Sequence, residues 1–151
     1  MTKPIGINHV ALEVGSVDEA LAWYGRFLDL DVNERHGDEM AFVDLGDQFL
    51  AFARAPATPP DTARHFGLVV DDKEALRRAL LEAGVEVSPP PRLDFCDPWG
   101  NLVQAVDYRQ VQFTKAPAVA RALGVDGLAK TESARAELHA KGLLEQLEEP
   151  T

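Results

Sequence analysis

Two stretches of the chain alternate apolar and polar side chains in the manner of half-buried β-strands, at residues 8–14 and 64–70. The apolar residues are Val10, Leu12 and Val14 in the first stretch and Phe66, Leu68 and Val70 in the second. Because successive side chains of a strand point to opposite faces, His9 and His65 lie on the face opposite the apolar set. The histidine stands at the same place in both stretches, which indicates an internal repeat.

A helix is predicted after each of these strands. Ser16 and Glu19 have the spacing of a capping box, in which the first residue caps the helix and the fourth bonds back to it. Asp71 and Glu74 repeat that spacing, and Gly84 ends the second helix. The positions predicted to be buried are Ala20, Leu21, Tyr24 and Leu28 in the first helix and Leu76, Ala79, Leu80 and Ala83 in the second.

Short alternating strands follow each helix. They are predicted at residues 32–36, 40–45 and 48–54 in the first half, and at residues 85–88, 92–96 and 101–107 in the second. Turn residues at 46–47 and 98–101 precede the last strand of each half. The sequence therefore predicts two βαβββ halves, at about residues 5–55 and 63–109, joined by a proline-rich connection.

The last strands of the two halves correspond to each other. Their alignment sets residues 49–52 against residues 102–105. If Leu50 and Val103 face the helices, alternation places Ala51 and Gln104 on the histidine face. The histidine face of each half is then the surface on which we expect a ligand.

Residues 110–151 match neither half. Thr114 is predicted to cap a short helix with Pro117 in its first turn, and a second helix is predicted from about Thr131 to Lys141. The apolar content of the second helix is low, so it needs a surface on which to dock. That surface is the edge of the domain, the cleft, or a second subunit, and covering of an edge is favoured.

Composition limits the cellular location and the classes of binding partner that we expect. The formal net charge is -10, and a negative surface repels phosphate backbones and anionic lipids, so neither nucleic acid nor membrane is an expected partner. No apolar run approaches the roughly 20 residues that cross a bilayer. The single cysteine, Cys96, leaves no intrachain disulfide, and we expect a cytoplasmic protein with a buried, inert thiol.

These features resemble the glyoxalase/bleomycin-resistance/dioxygenase superfamily, also called the vicinal oxygen chelate superfamily. The resemblance covers about residues 5–109 and rests on the duplicated halves, on residues 8–14 and on the motif Asp-Pro-Trp-Gly-Asn-Leu-Val-Gln at 97–104. It implies an α+β domain at residues 1–109, in which two βαβββ modules form a cupped, mostly antiparallel sheet with the helices outside. Residues 110–151 then form a helical extension. The resemblance also implies a small-molecule ligand in the cleft and a homodimer.

In the metal-using members of this superfamily, four positions of the cupped sheet supply the ligands. The matching positions here hold His9, Ala51, His65 and Gln104, so the resemblance implies a metal site of His9, His65 and Gln104 with one ligand missing. Resemblance to the metal-using members implies one divalent ion (Fe, Zn, Ni, Mn or Co) at this site. Resemblance to the metal-free members implies that no ion is bound. Neither Ala51 nor Gln104 can act as a metal-bound base, so ordinary glyoxalase chemistry is disfavoured.

Three functions remain open at this point, and no catalytic residue is assigned. One is a metal-dependent isomerase, lyase or extradiol dioxygenase, the second a metal-free binding protein like the bleomycin-resistance members, and the third a decayed site whose tail mediates assembly. Beside Ala51, the residues predicted to line the cleft are Phe42, Phe49, Phe95 and Trp99, with a packed sheet face or a covered edge as the alternative for these rings. The other two histidines, His36 in a predicted loop and His139 near a helix end, are not predicted as ligands.

Overall fold

The computed structural model of the chain describes residues 7–143. The elements are β1 (His9–Val14), α1 (Val17–Tyr24), β2 (Asp31–His36), β3 (Met40–Asp44), β4 (Phe49–Arg54), β5 (Phe66–Val70), α2 (Lys73–Glu82), β6 (Asp94–Cys96), β7 (Leu102–Asp107), a 3₁₀ turn (Tyr108–Gln110), α3 (Pro117–Ala122) and α4 (Glu132–Ala140). The expectations for residues 1–6 and for the last part of the 110–151 extension lie outside the described residues. Within residues 7–143, no helix is long and apolar enough to cross a membrane.

The strands form two sheets, one for each predicted half. The first sheet has the order β1-β4-β3-β2 and the second β5-β7-β6. The first and last strands of each half are parallel, and the other pairs are antiparallel. Ala11 pairs with Ala51 in the first sheet, and Gly67 pairs with Gln104 at the equivalent place in the second. The predicted α+β fold, with repeated halves and a helical C-terminal part, is confirmed.

The second half lacks one strand that the alternation predicts. Residues 85–88 form no ladder, and the following strand pairs only over Asp94–Cys96. The cause is the run of prolines at residues 89–91, which have no N–H group to donate to a ladder. Two hydrogen bonds between Ser88 and Asp94 take the place of a ladder. The Ser88 N–H donates to the Asp94 carbonyl at 2.9 Å, and Ser88 Oγ accepts from the Asp94 N–H at 2.8 Å.

The helix caps agree with prediction in the first half and are shifted by one residue in the second. Ser16 accepts a hydrogen bond from the Glu19 N–H at 3.4 Å and caps α1. The cap of α2 is Asp72, whose Oδ1 accepts from the Ala75 N–H at 2.9 Å. The prediction of Asp71 as the cap was wrong, because the helix begins at Lys73 and the cap stands directly before it.

Asp97, in the turn before β7, connects the two halves. Its side chain is buried at 4 % exposure, and Oδ1 accepts from the N–H groups of Trp99 and Asn101, both at 2.9 Å. Oδ2 accepts from the Tyr24 hydroxyl at 3.0 Å and from the Asn101 side-chain amide at 2.8 Å. That amide also donates to the Glu13 carbonyl at 2.9 Å. Since Tyr24 and Glu13 belong to the first half, the motif at 97–104 has a structural role as a joint.

The C-terminal extension packs first on the turn between β3 and β4. Lys115 forms an ion pair with Asp47 and donates to the Leu45 carbonyl at 3.4 Å. Gly46 in that turn has φ 93°, and a Cβ built on it would lie 2.6 Å from a methyl carbon of Val119 in α3. The extension therefore covers a turn, whereas the edge strand β2 stays exposed along its whole length. The extension therefore does not cover the edge strand β2.

The second contact of the extension lies at the 3₁₀ turn after β7. The Thr131 N–H donates to the Arg109 carbonyl at 2.8 Å, and the Thr131 side chain caps α4, which begins at Glu132 close to the predicted start. Lys130 donates to the Tyr108 carbonyl, and its Nζ lies 3.5 Å from the centroid of the Tyr108 ring. Burial lowers the pKa of Lys130 from 10.5 to about 8, although the charge of Asp107 opposes this shift.

The lowered pKa of Lys130 predicts a pH-dependent contribution to stability. Below pH 8 the amine is charged in both the folded and the unfolded chain, so the folded state bears the full cost of burying the charge. Above about pH 10.5 the amine is neutral in both states. We expect the free energy of unfolding of the wild type, relative to Lys130→Met, to rise between these values in urea titrations. A difference that falls with pH would show that the charged amine is stabilised by the Tyr108 ring.

Candidate functional site

The exposed face of the first sheet carries one aromatic ring from each of its four strands. The ring of His9 on β1 stacks on Phe49 of β4, with centroids 4.7 Å apart and planes 9° from parallel. Phe42 of β3 meets Phe49 edge-on at 5.5 Å, and His36 meets Phe42 edge-on at 6.0 Å. Phe42 and Phe49 therefore lie on the same face of the first sheet as His9. His36, expected in a loop, is instead the last residue of β2.

A groove of about 450 Å³ lies beside this row of rings, which we call the aromatic row (His9, Phe49, Phe42 and His36). Its lining residues are Phe42 and Phe49 together with Asn33, Glu34, Asp44, Gly46, Asp47 and Gln48. The lining contains carboxylates and no basic side chain. Cavities of roughly 300–1,000 Å³ with apolar walls and a few polar groups are typical of small-molecule sites. The groove thus has the volume of a small-molecule site, with two aromatic rings and a mostly polar, acidic lining.

In both histidines of the repeat, Nδ1 lies within hydrogen-bonding distance of an oxygen atom, although the two oxygens belong to different kinds of group. His9 Nδ1 lies 2.8 Å from the side-chain oxygen of Asn8, and His65 Nδ1 lies 2.9 Å from the carbonyl oxygen of Ala63. Carbonyl oxygens can only accept, so Nδ1 carries the proton in each neutral ring and the lone pair is on Nε2. Both side chains are exposed. Each half therefore offers one imidazole nitrogen in the form that binds metals.

Gln104 lies on the exposed face of the second sheet and contacts a carboxylate. In register, Gln104 of β7 stands between Gly67 of β5 and Asp94 of β6. Its Nε2 donates to Asp94 Oδ1 at 3.2 Å, and Asp94 also forms an ion pair with Arg92. Sequence reasoning missed Asp94, because alternation within one strand does not show that β6 pairs Asp94 with Gln104 of β7.

Phe95 and Trp99 are placed differently from expectation, and Ala51 is buried on the expected face. Phe95 belongs to the core at 4 % exposure, with its ring 6.2 Å from that of Trp23, because it lies on the opposite face of β6 from Asp94. Trp99 lies against Gly15 and lines a separate groove of about 190 Å³ between the halves. Ala51 does lie on the histidine face, but it is buried at 2 % exposure and has no donor atom. These three side chains therefore do not line the groove over the first sheet.

Cys96 is exposed, so the expectation of a buried thiol was wrong. It stands on β6 one residue beyond Phe95 and therefore on the same face as Asp94. Partial burial raises the pKa of the Cys96 thiol, and the charges of Asp97 and Asp61 raise it further. A raised pKa keeps the thiol protonated at neutral pH, and the predicted low reactivity is consistent with this environment.

The donor atoms on these faces fit a divalent metal ion by their chemistry. Within residues 7–143, no three His, Cys, Asp or Glu side chains form a group that could hold a metal. The donor set that the resemblance implies is Nε2 of His9, Nε2 of His65 and the amide oxygen of Gln104. Imidazole nitrogen is a common ligand of Zn, Fe, Ni and Co. Because the third ligand is an uncharged oxygen, the three ligands together carry no charge and would bind the ion weakly.

Comparison with known proteins establishes the family. A family model described as Glyoxalase/Bleomycin resistance protein/Dioxygenase superfamily matches residues 6–105. The chain belongs to this superfamily. No curated protein matches the chain significantly in sequence. The predicted resemblance is therefore confirmed over both halves, and the match ends before the helical extension.

Solved structures of other superfamily proteins share the fold. A possible glyoxalase from Bacillus cereus has 21% identity and a TM-score of 0.59, and the match covers 68% of this chain and 99% of that one. A lactoylglutathione lyase from Agrobacterium tumefaciens has 20% identity and a TM-score of 0.56, with 71% and 96% covered. The fosfomycin resistance protein FosX from Listeria monocytogenes, solved with Mn(II) and 1S,2S-dihydroxypropylphosphonic acid, has 15% identity and a TM-score of 0.59, with 68% and 90% covered. At these identities the likeness concerns the fold alone.

Proposed function

We propose that this superfamily member binds a small molecule in the groove over its first sheet, next to a divalent metal ion held by His9, His65 and Gln104. The observation that carries the proposal is that Nδ1 of both exposed histidines lies within hydrogen-bonding distance of an oxygen, which leaves the lone pair of each neutral ring on Nε2. A repeat that preserves the same ring nitrogen in both halves is expected of a pair of ligands. The Mn(II) in the FosX structure supports a divalent ion.

The residues of this chain limit the chemistry that such a site performs. A bound ion would polarise ligand oxygen atoms as a Lewis acid. Ala51 and Gln104 carry no titratable proton, so we do not propose the ordinary glyoxalase reaction. Glu13 is exposed two residues beyond His9 on the same face of β1, and it is the carboxylate that could accept a proton there. Isomerase, lyase and dioxygenase reactions are the classes we propose to test.

A substitution at Gln104 tests whether this residue is a ligand. Gln104→Glu replaces a neutral amide oxygen by a charged carboxylate of similar size, which converts the set into two histidines and one carboxylate. We expect the affinity for Co(II), measured by titration calorimetry, to rise about tenfold or more. Asn33→Asp, in the groove but away from the second sheet, is the control for added charge alone. Equal affinities of the wild type, Gln104→Glu and Gln104→Ala would show that Gln104 is not a ligand, because the alanine variant lacks both the donor oxygen and any repulsion from Asp94.

The second candidate is a metal-free protein that binds a ligand in the groove. It is favoured by the position of the groove, whose lining includes neither His65 nor Gln104. A thermal-shift screen of small molecules on chelator-treated protein would test it. Under this proposal the stabilising compounds lose their effect in Phe42→Ala and keep it in His65→Ala. Loss in His65→Ala and not in Phe42→Ala would contradict it.

We also propose three features of the protein that the sequence leads us to expect. The first is the division of the chain into a domain at residues 1–109 and an extension at 110–151, which is supported by the end of the family match at residue 105. The second is a homodimer, as the superfamily resemblance implies. The third is a cytoplasmic location. Sedimentation velocity tests the second of these directly, since a dimer of this 16.5 kDa chain separates clearly from the monomer.

A further inference from the structure

We propose that Asp94 is a positioning residue of the site, which holds the Gln104 amide with its oxygen toward the metal and supplies negative charge beside it. The inference rests on the proposed function, in which Gln104 is a ligand. It adds a residue that lies on a different strand from any of the ligands proposed above. Asp94 also adds a negative charge beside a donor set that otherwise contains only two neutral imidazoles and an amide.

The orientation of the Gln104 side chain follows from the chemistry of its partner. An ionised carboxylate can only accept hydrogen bonds, so the group that faces Asp94 Oδ1 at 3.2 Å must be the NH₂ of Gln104. The carbonyl oxygen of the same planar amide therefore points away from Asp94. Without this partner, either end of the amide could face an incoming cation, and the NH₂ end would repel it.

Asp94 itself is held in place by its backbone. Its N–H and its carbonyl both bond to Ser88, at 2.8 Å and 2.9 Å, and β6 pairs it in register with Gln104. Its side chain is 13% exposed, so its charge acts in an environment that water screens only partly. A carboxylate behind a ligand raises the affinity of metal sites, and loss of such a partner typically costs 10–100-fold.

Arg92 is the group that opposes this effect. It forms an ion pair with Asp94, but its side chain is 68% exposed, and exposed pairs of this kind contribute little to stability. Removal of the Arg92 charge should therefore leave the fold intact. The negative charge of the Asp94 carboxylate would then no longer be partly neutralised by Arg92. The chain thus offers two substitutions, at residues 92 and 94, for which we expect opposite effects on the affinity for a cation.

The test is the affinity of the chelator-treated protein for Mn(II), measured by electron paramagnetic resonance of the free ion. We expect Asp94→Asn, which keeps an acceptor and removes the charge, to weaken binding about tenfold. Asp94→Ala, which removes both, should weaken it up to about 100-fold. Arg92→Gln should strengthen binding by about two- to fivefold. Circular dichroism and thermal unfolding of each variant confirm that the fold is retained.

A second readout requires no metal. In the wild type the Gln104 side-chain NH₂ protons should exchange slowly with solvent in ¹⁵N spectra, and in Asp94→Ala they should exchange at the rate of exposed amides. Equal exchange in the two proteins would overturn the inference. Mn(II) binding that is the same in the wild type and Asp94→Asn would also overturn it while leaving the proposed metal site intact. Failure of the wild type to bind Mn(II) would instead refute the proposed function, and this inference with it.

Discussion

Replacement of Asp97 by alanine is expected to lower the free energy of unfolding by about 3–5 kcal/mol. The side chain accepts hydrogen bonds from the Tyr24 hydroxyl, from the Trp99 N–H and from both the backbone and side-chain N–H groups of Asn101. Burial and the charge of Asp97 raise the pKa of Tyr24, so the hydroxyl stays protonated and continues to need an acceptor. Alanine leaves these donors without their partner in a buried turn.

Urea unfolding of matched variants measures this effect. Tyr24→Phe removes one of the hydrogen bonds to Asp97 and should cost about 1.5–3 kcal/mol, since the acceptor is charged. Asp29→Ala, at an exposed position, is the control and should change stability by no more than about 0.5 kcal/mol. If Asp97→Ala were as stable as the control, the turn before β7 would not be the joint between the two halves.

The second large effect is expected at the histidines. Co(II) bound by imidazole has visible absorption bands, and we expect the wild type to develop them on titration. His9→Ala and His65→Ala should each weaken Co(II) binding about 100-fold or more, because each removes one of three ligands. The controls are His36→Ala and His139→Ala, which remove the remaining histidines of the chain and should keep the spectrum.

The outcome of this series separates the possibilities. Loss of the bands in His9→Ala and His65→Ala alone supports a site shared between the two halves. Loss in His9→Ala and His36→Ala, with His65→Ala unaffected, would place the ion on the first sheet, where the aromatic row ends in His9 and His36. That result would contradict the proposed ligand set.

The repeated architecture could be predicted from the sequence because its signals are local. Alternation in residues 8–14 and 64–70 placed β1 and β5, and the cap at Ser16 placed α1. The wrong prediction of a strand at residues 85–88 also has a local cause. The alternation of residues 85–88 predicted a strand, but the prolines at 89–91 that follow have no N–H groups for a ladder. Strand patterns next to a proline run are therefore weak predictors of pairing.

The site could be predicted only in part, because its geometry depends on register between distant segments. Alternation within one strand placed His9 and Gln104 correctly, but it could not show that Asp94 pairs with Gln104 across β6 and β7. Phe95 was misplaced because the short strand 94–96 gives too few positions to show which face is buried. The aromatic row likewise joins four strands, and its contacts appear only when the sheet is formed.

The central claim, a divalent metal ion shared by His9, His65 and Gln104, is tested most directly by elemental analysis. The protein should be purified without a histidine tag and without chelators, so that a native ion is neither introduced nor removed. We expect about one divalent ion per chain, with stoichiometric reloading after dialysis against a chelator. Protein that contains no metal and cannot be loaded with Fe(II), Zn(II), Ni(II), Mn(II) or Co(II) would contradict it.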